Sequence, residues 1–289
     1  MFIKDLKDFL DEKSLAYENP NFLEKDPIKI PHLFKKKEDI EISGFLVASI
    51  SWGNRLTIIK NGIRMMELMG NDPYNFVIHH KKRDLIPLSS FIHRTFNGYD
   101  FIYFVKALRH IYKKYGGLEK AFSKFPKSSR MDENIYHFRK CFFELSHDKR
   151  VKKHVSNPLN GSAAKRINMY LRWMVRSSKN KVDFGIWNKL NSNQLSCPLD
   201  IHTGNIARKL GLLNRKINDL KALKELDEIL RSFDASDPVK YDFALFGLGV
   251  YEGFNNKDMK LNNKIRYLDS LSSTKICLKK FQNILVQAP

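Results

Sequence analysis

A lysine and an aspartate, Lys165 and Asp200, stand out in this sequence because each is predicted to begin a helix among apolar neighbours. Lys165 follows the turn glycine Gly161 and lies close to Ala163 and Ile167. An amine in the first turn of a helix feels the positive end of the helix dipole, and both this dipole and partial desolvation favour its neutral form. A neutral amine is a nucleophile that can attack the C1′ carbon of a sugar and form a Schiff base. The simpler interpretation is an exposed lysine that contacts phosphate.

Asp200 follows the apolar run 197–199 and precedes an amphipathic segment, which predicts that it caps the N-terminus of a helix. In that role the carboxylate is structural. The same carboxylate, placed rigidly beside a reacting carbon, would stabilise the positive charge that develops as a leaving group departs. Both roles are compatible, because a capping side chain is held in one place.

The charge of the chain indicates a polyanionic partner. Lys and Arg number 51 against 31 Asp and Glu, which gives a net charge of +20. The basic residues are dense in the runs 79–83, 149–154 and 165–166. Neutralising phosphates with such runs releases counterions, and this release favours binding to nucleic acid. A general enrichment in lysine is the alternative, but the clustering favours nucleic acid.

The cysteines and the apolar runs exclude several classes of protein. Cys141, Cys197 and Cys277 are far apart, which is typical of a reducing compartment and excludes the four close thiolates of an iron–sulfur cluster. His79, His80 and His202 have no zinc-type spacing, so we predict no metal and no organic cofactor. No apolar run approaches the roughly 20 residues of a membrane span, and the N-terminus lacks a signal peptide. We expect a cytoplasmic protein with no membrane partner.

The hydrophobic periodicity is helical along the chain and predicts an all-α fold, with residues 1–289 treated as a single unit. No segment with a period of two is long enough to require a sheet. Pro158 and Gly161 mark a compact turn between helices. The predicted helices are 2–15, 40–51, 55–69, two within 89–115 around the turn Asn97-Gly98, 132–148, 162–176, 200–210, 219–232, 238–251 and 264–285.

Two motifs resemble the helix-hairpin-helix DNA glycosylases, in which a hairpin of the form Leu-Pro-Gly-Val-Gly-x-Lys precedes a Val-Asp-x-His segment. The corresponding segments here are Leu159-Asn160-Gly161-Ser162-Ala163-Ala164-Lys165 and Leu199-Asp200-Ile201-His202. The resemblance covers about residues 40–255, with the hairpin at about 154–176. It implies two packed helical lobes with the active site in the cleft between them. It further implies that Lys165 is the nucleophile, that Asp200 is the essential carboxylate, and that Gly161, Ala163 and His202 contact DNA.

The chain departs from this pattern at two points. Ala163 replaces the second hairpin glycine, which alters how closely the backbone can approach a DNA phosphate. Lys165 and Asp200 are 35 residues apart, a longer separation than in endonuclease III. In this respect the chain is more similar to the archaeal 8-oxoguanine glycosylases, which also lack an iron–sulfur cluster. As a whole it resembles the DUF2400 family, which has no assigned function.

A pocket for an extruded base is suggested by the helix around residue 244. An enzyme that cuts an N-glycosidic bond must flip the nucleotide, stack its base and bind its edge. Asp242 and Phe246 lie one helical turn apart, as an acid and an aromatic ring do in the archaeal enzymes. Asp242 would accept hydrogen bonds from a purine N1–H and amine while Phe246 stacks, although a Phe here is also compatible with a plain core residue. Trp52 would wall the pocket and Asn54 or Arg55 would fill the gap left in the duplex. A turn with a buried Trp is the alternative.

The resemblance therefore implies a bifunctional DNA glycosylase/AP lyase that removes 8-oxoguanine from double-stranded DNA in base excision repair. Lys165 would attack C1′, Asp200 would stabilise the charge, and β-elimination would cut the strand. An alkylpurine DNA glycosylase is one alternative. A non-catalytic helical protein that binds nucleic acid is the other, and Ala163 in the hairpin motivates it. We expect a monomer.

Overall fold

The structure, a computed structural model, describes residues 2–128, 130–177 and 179–252. The helix predicted over 264–285 lies outside the described residues. Within them the protein is all-α, as the helical periodicity predicts. The α-helices are α1 (Phe2–Tyr17), α2 (Asn21–Glu24), α3 (Lys37–Ser49), α4 (Arg55–Leu68), α5 (Pro73–His79), α6 (Gly98–His110), α7 (Leu118–Phe122), α8 (Asp132–Phe142), α9 (Lys165–Val175), α10 (Ile201–Lys209), α11 (Leu220–Phe233) and α12 (Tyr241–Val250).

Side-chain caps set the start of four helices that position the site. Asn54, Asn97, Asp200 and Asp219 each precede a helix and accept a hydrogen bond from the backbone N–H three residues further on. Such a cap satisfies one of the N–H groups that a helix N-terminus leaves without a partner. The prediction that Asp200 caps its helix is therefore confirmed.

Of the two helices predicted around Asn97-Gly98, the helix after this turn is present and the helix before it is not. Asn97 and Asp100 do form a capping box at the start of α6. The residues before it form a 3₁₀ turn, Pro87–Ser90, and a small antiparallel hairpin of β1 (Ile92–His93) and β2 (Phe96–Asn97). Aromatic and β-branched residues suit extended strands, and this preference prevails over the helical spacing. The short helices α2, α5 and α7 were not predicted, because fewer than eight residues carry too little periodicity.

Buried apolar side chains form two clusters. The larger cluster is built on α3, α6, α8 and α9, where the ring of Phe45 meets those of Phe104, Phe138 and Tyr170 at 5.4–5.8 Å. The smaller cluster is built on α1, α10, α11 and α12. Ala163 belongs to the smaller cluster and Ala164 to the larger. The start of α9 consequently lies where the two clusters meet.

None of the helices in the described part of the chain is both long and apolar enough to cross a membrane.

Candidate functional site

A cleft of about 520 Å³ has walls from both apolar clusters, including Met169 of the larger and Leu199 of the smaller. Seven of the residues predicted from the sequence line it: Trp52, Arg55, Lys165, Asp200, His202, Asp242 and Phe246. They come from segments far apart in the chain. Pockets of this size, largely apolar with a few polar groups, are typical of sites for small planar ligands.

Lys165 and Asp200 form the polar centre of the cleft. The Lys165 Nζ lies 3.8 Å from Asp200 Oδ2, and both side chains are about one quarter exposed, at 28% and 25%. The Nζ also contacts the sulfur of Met169 at 3.7 Å. The lysine is therefore positioned against one carboxylate and one apolar surface, and remains accessible from the cleft.

The backbone around these two residues explains their placement. Lys165 is the first residue of α9, and Ala164 before it has a left-handed conformation with φ of 46°. Asp200 uses Oδ1 to cap α10, at 3.0 Å from the Thr203 N–H, which leaves Oδ2 turned toward the lysine. Asn218 donates its amide to the Asp200 carbonyl at 2.7 Å. One carboxylate oxygen is thus structural and the other is available for chemistry, as the two compatible roles of Asp200 require.

Asp242 lies at the back of the cleft, only 5% exposed. Its carboxylate accepts hydrogen bonds from Arg172 at 2.5 Å and from the Cys197 thiol at 3.8 Å. Burial raises the pKa of Asp242 to about 6, although the charge of Arg172 opposes this rise. Burial also raises the pKa of the Cys197 thiol well above its usual value. Burial thus destabilises the charged form of the Asp242 carboxylate, and Arg172 stabilises it.

A buried network of charges stands behind Asp242. Arg172 bonds to Asp183 at 3.2 Å as well as to Asp242, and Arg176 pairs with the other oxygen of Asp183 at 3.2 Å. Arg176 also binds Glu18 and Asp237. Asp183 is 1% exposed and belongs to the segment between α9 and α10, so that segment helps to fix Arg172. Sequence reasoning left Arg172 without a role, since nothing local shows that its partners are 11 and 70 residues away.

Trp52 lines the cleft, and three neighbouring side chains pack against its ring. The guanidinium of Arg166 lies 4.7 Å from its ring centroid, and the rings of His154 and His93 lie at 5.9 and 5.1 Å. Arg166 donates hydrogen bonds to the carbonyls of Ser49 and Lys153. Burial lowers the pKa of Arg166 to about 10.

Phe246 is the second ring of the cleft. The rings of Phe22 and Tyr251 meet it at steep angles, 69° and 82°. The guanidinium of Arg55 lies over the Phe246 ring, 4.8 Å from its centroid. The two predicted aromatic residues of the pocket are therefore each in contact with an arginine.

Asp26 is a lining residue that sequence reasoning missed. It is 8% exposed and accepts a hydrogen bond from the Ile28 N–H at 3.0 Å. Burial raises its pKa, whereas this hydrogen bond and the charges of Arg55, Arg172 and Lys165 lower it. From the sequence alone, Asp26 is recognisable only as the cap of a short turn before Pro27. No local signal distinguishes it from other such caps.

Three of the predicted residues lie outside the cleft lining. Asn54 is exposed and caps α4 through a 3.1 Å hydrogen bond from the Thr57 N–H. Gly161 is exposed at the end of the 3₁₀ turn before α9, with φ of +85°, and its carbonyl accepts a hydrogen bond from the Leu220 N–H at 2.9 Å. The Ala163 side chain is 6% exposed and packs in the smaller cluster. Gly161 and Asn54 are therefore accessible to a large partner. Because the Ala163 side chain is buried, any contact of Ala163 with such a partner is made by its backbone.

The donor groups of the cleft are suited to acid–base and nucleophilic chemistry. Across the described ranges, no group of three or more His, Cys, Asp or Glu side chains is arranged to hold a metal ion. The arrangement instead offers one amine beside one carboxylate, two buried carboxylates at the back, and two aromatic rings at the sides. An amine so placed can form a covalent adduct with an electrophilic carbon, with the carboxylate beside it to stabilise positive charge.

Comparison with known proteins gives one match. No curated protein and no solved structure matches the chain significantly. The family model described as a protein of unknown function, DUF2400, matches residues 26–251, which include every lining residue of the cleft except Phe22. The chain belongs to the DUF2400 family.

Proposed function

We propose that this protein is a helix-hairpin-helix DNA glycosylase with AP lyase activity, and that its substrate is double-stranded DNA carrying an oxidised purine such as 8-oxoguanine. The observation that carries the proposal is the 3.8 Å approach of the Lys165 amine to Asp200 inside a cleft of about 520 Å³ that also holds two aromatic rings. The 3₁₀ turn Pro158–Asn160, which ends at Gly161 before α9, and the net charge of +20 support a DNA partner.

The proposed reaction begins once a nucleotide is flipped into the cleft. The amine of Lys165 attacks C1′ while the bond from C1′ to the base nitrogen breaks, and the base leaves with its bonding electrons and takes up the proton that the amine gives up. Asp200 stabilises the positive charge that develops on the sugar, because its Oδ2 lies 3.8 Å from the Lys165 Nζ. The sugar ring then opens as the C1′–O4′ bond breaks, O4′ takes up a proton, and C1′ and the Lys165 nitrogen form a Schiff base. Loss of a C2′ proton from this Schiff base breaks the C3′–O bond by β-elimination, so the 3′ phosphate leaves and the strand is cut.

The remaining lining residues suit a purine. Phe246 offers a ring for stacking, and Asp242 and Asp26 offer carboxylate acceptors for N–H donors on the base. Asp242 keeps this capacity although Arg172 and Cys197 bind it, because a carboxylate has about four acceptor sites. An alkylated, positively charged purine would also be attracted by two acids, so an alkylpurine is the second candidate lesion.

Borohydride trapping tests the proposal. Wild type, Lys165→Gln and the control Lys224→Gln are incubated with labelled duplexes carrying 8-oxoguanine, an alkylated purine or an abasic site. Lys224 is an exposed lysine on α11, outside the cleft lining and outside the three basic runs, so its substitution removes the same charge elsewhere. We expect a covalent adduct with 8-oxoguanine for wild type and Lys224→Gln, and none for Lys165→Gln.

The other outcomes are distinct. Trapping on the alkylated purine alone would move the assignment to an alkylpurine glycosylase. Salt-sensitive binding to every duplex without any adduct, even on the abasic site, would overturn the lyase proposal. It would favour a non-catalytic nucleic-acid-binding protein instead.

A further inference from the structure

The two arginines that contact the aromatic rings of the cleft differ in how they are held. The guanidinium of Arg166 packs on Trp52, and the carbonyls of Ser49 and Lys153 fix it in place. The guanidinium of Arg55 packs on Phe246 at 4.8 Å. Among the described residues, Arg55 has no hydrogen bond or ion pair that would fix it in the same way.

Arg166 and Trp52 therefore form a fixed wall of the cleft, whereas the contact of Arg55 with Phe246 can be replaced by a contact with a ligand. Displacing Arg166 would leave a buried charge without its backbone acceptors, which is costly. Displacing Arg55 requires only the loss of a cation–π contact and of its attraction to Asp26. Arg55 is also half-buried in the first turn of α4, beside the loop 52–54, and so can turn outward to solvent.

We propose that Arg55 is an autoinhibitory residue of the cleft: its guanidinium occupies the stacking face of Phe246 in the free protein and must be displaced by the flipped base. The inference rests on the proposed function, because it assumes that the cleft receives a base. A guanidinium is planar and carries only N–H donors, and the amidine edge of a guanine-type base shares both properties. Arg55 therefore occupies the ring of Phe246 on which such a base would stack, and its charge stabilises the charged form of Asp26, one of the two acids that such a base would use.

The consequence is a lower affinity of the free protein for any base. A base binds only if its stacking on Phe246 and its hydrogen bonds to the carboxylates outweigh the contacts of Arg55. The contacts that are lost when Arg55 leaves are the same for every base, so Arg55 lowers the affinity for each by the same factor, before any chemistry takes place.

A titration with a soluble base analogue tests this inference. The probe is 9-ethylguanine, and the proteins are full-length wild type, Arg55→Ala and Arg64→Ala. Arg64 lies on the same helix and pairs with Glu67 on the exposed surface, so its variant is the matched loss of one arginine. We expect Arg55→Ala to bind the analogue roughly fivefold more tightly than wild type, the factor that corresponds to one cation–π contact of about 1 kcal/mol. Arg64→Ala should bind like wild type.

An NMR measurement on the free protein gives a second readout. The Nε–H proton of Arg55 should show an upfield ring-current shift that Phe246→Leu removes and that saturating 9-ethylguanine reverses in wild type. Equal affinity of wild type and Arg55→Ala for the analogue would overturn the inference, as would a lack of saturable binding by Arg55→Ala. Neither measurement needs Lys165 chemistry. If the trapping experiment fails, the proposed function is therefore wrong. If wild type and Arg55→Ala bind 9-ethylguanine equally well, only the role of Arg55 is wrong.

Discussion

Arg172 donates to Asp242 at 2.5 Å from within the core, and its Nε donates to Asp183 at 3.2 Å. One arginine thus binds two buried carboxylates, one at the back of the cleft and one in the segment between α9 and α10, and Arg176 shares the second of them. The guanidinium also packs on the ring of Phe243, 4.3 Å from its centroid. This relationship fixes the direction in which Asp242 faces the cleft, and it makes the stability of the site depend on Arg172, which also lines the cleft.

Substituting Arg172→Met should destabilise the protein by about 3–5 kcal/mol, because it leaves buried carboxylates without their partner. Equilibrium unfolding in urea, with the free energy of unfolding extrapolated to water, measures the effect. Arg64→Met is the control, because the exposed Arg64–Glu67 pair contributes at most about 1 kcal/mol. A loss of less than 1 kcal/mol for Arg172→Met would contradict the buried network.

Asp242 should give the unfolding free energy a characteristic dependence on pH. Burial raises its pKa from 3.8 to about 6 in the folded state, so the folded protein binds a proton more tightly than the unfolded chain. The stabilisation by this proton is present below pH 4 and is lost as the pH rises through about 6.

The free energy of unfolding of wild type relative to Asp242→Asn should therefore fall as the pH rises between about 4 and 6, and stay level above. Comparing the two proteins cancels the contributions of buried acids that do not interact with Asp242, such as Asp227, whose pKa burial also raises. A difference that rises with pH, or does not change, would show that Asp242 keeps an ordinary or lowered pKa.

The sequence was sufficient for features that local spacing encodes. Asp200 is recognisable as a cap because a short polar side chain precedes an amphipathic run, and the cap is present. The juxtaposition of Lys165 and Asp200 followed from the resemblance to glycosylases rather than from any pattern, and the two residues do meet.

The contacts that define the back of the cleft were not predictable in the same way. Arg172 and Asp242 are 70 residues apart, and the Arg176–Glu18 pair spans 158 residues. Such pairs are set by how two clusters pack, and the helical period says only which face of each helix is apolar. The hairpin of β1 and β2 was missed for a different reason: two-residue strands are too short to show an alternating pattern.

The two roles of Asp200 can be separated by substitution. Asp200→Asn keeps an oxygen for the cap of α10 but loses the charge that faces Lys165, so stability should change little while covalent trapping is lost. Asp200→Ala removes the cap as well and should lower the free energy of unfolding by about 1 kcal/mol. Thermal or urea unfolding and trapping on the same preparations measure both. Full trapping by Asp200→Asn would leave Asp200 as a cap alone.

Gly161 offers a test of the hairpin that is independent of the cleft. Its φ of +85° disfavours any residue with a Cβ, although an added Cβ would meet nothing within 4 Å. Gly211, after α10, has φ of +73° and equally open surroundings, so Gly211→Ala is a matched control for backbone strain. Each substitution should cost about 1 kcal/mol of stability.

Only Gly161→Ala should weaken binding to duplex DNA, measured by fluorescence anisotropy at fixed salt, because only this glycine lies in the hairpin that the proposal places against a phosphate. Equal binding by the two variants would remove the hairpin from the proposed DNA interface and leave the basic runs as the candidates for that contact.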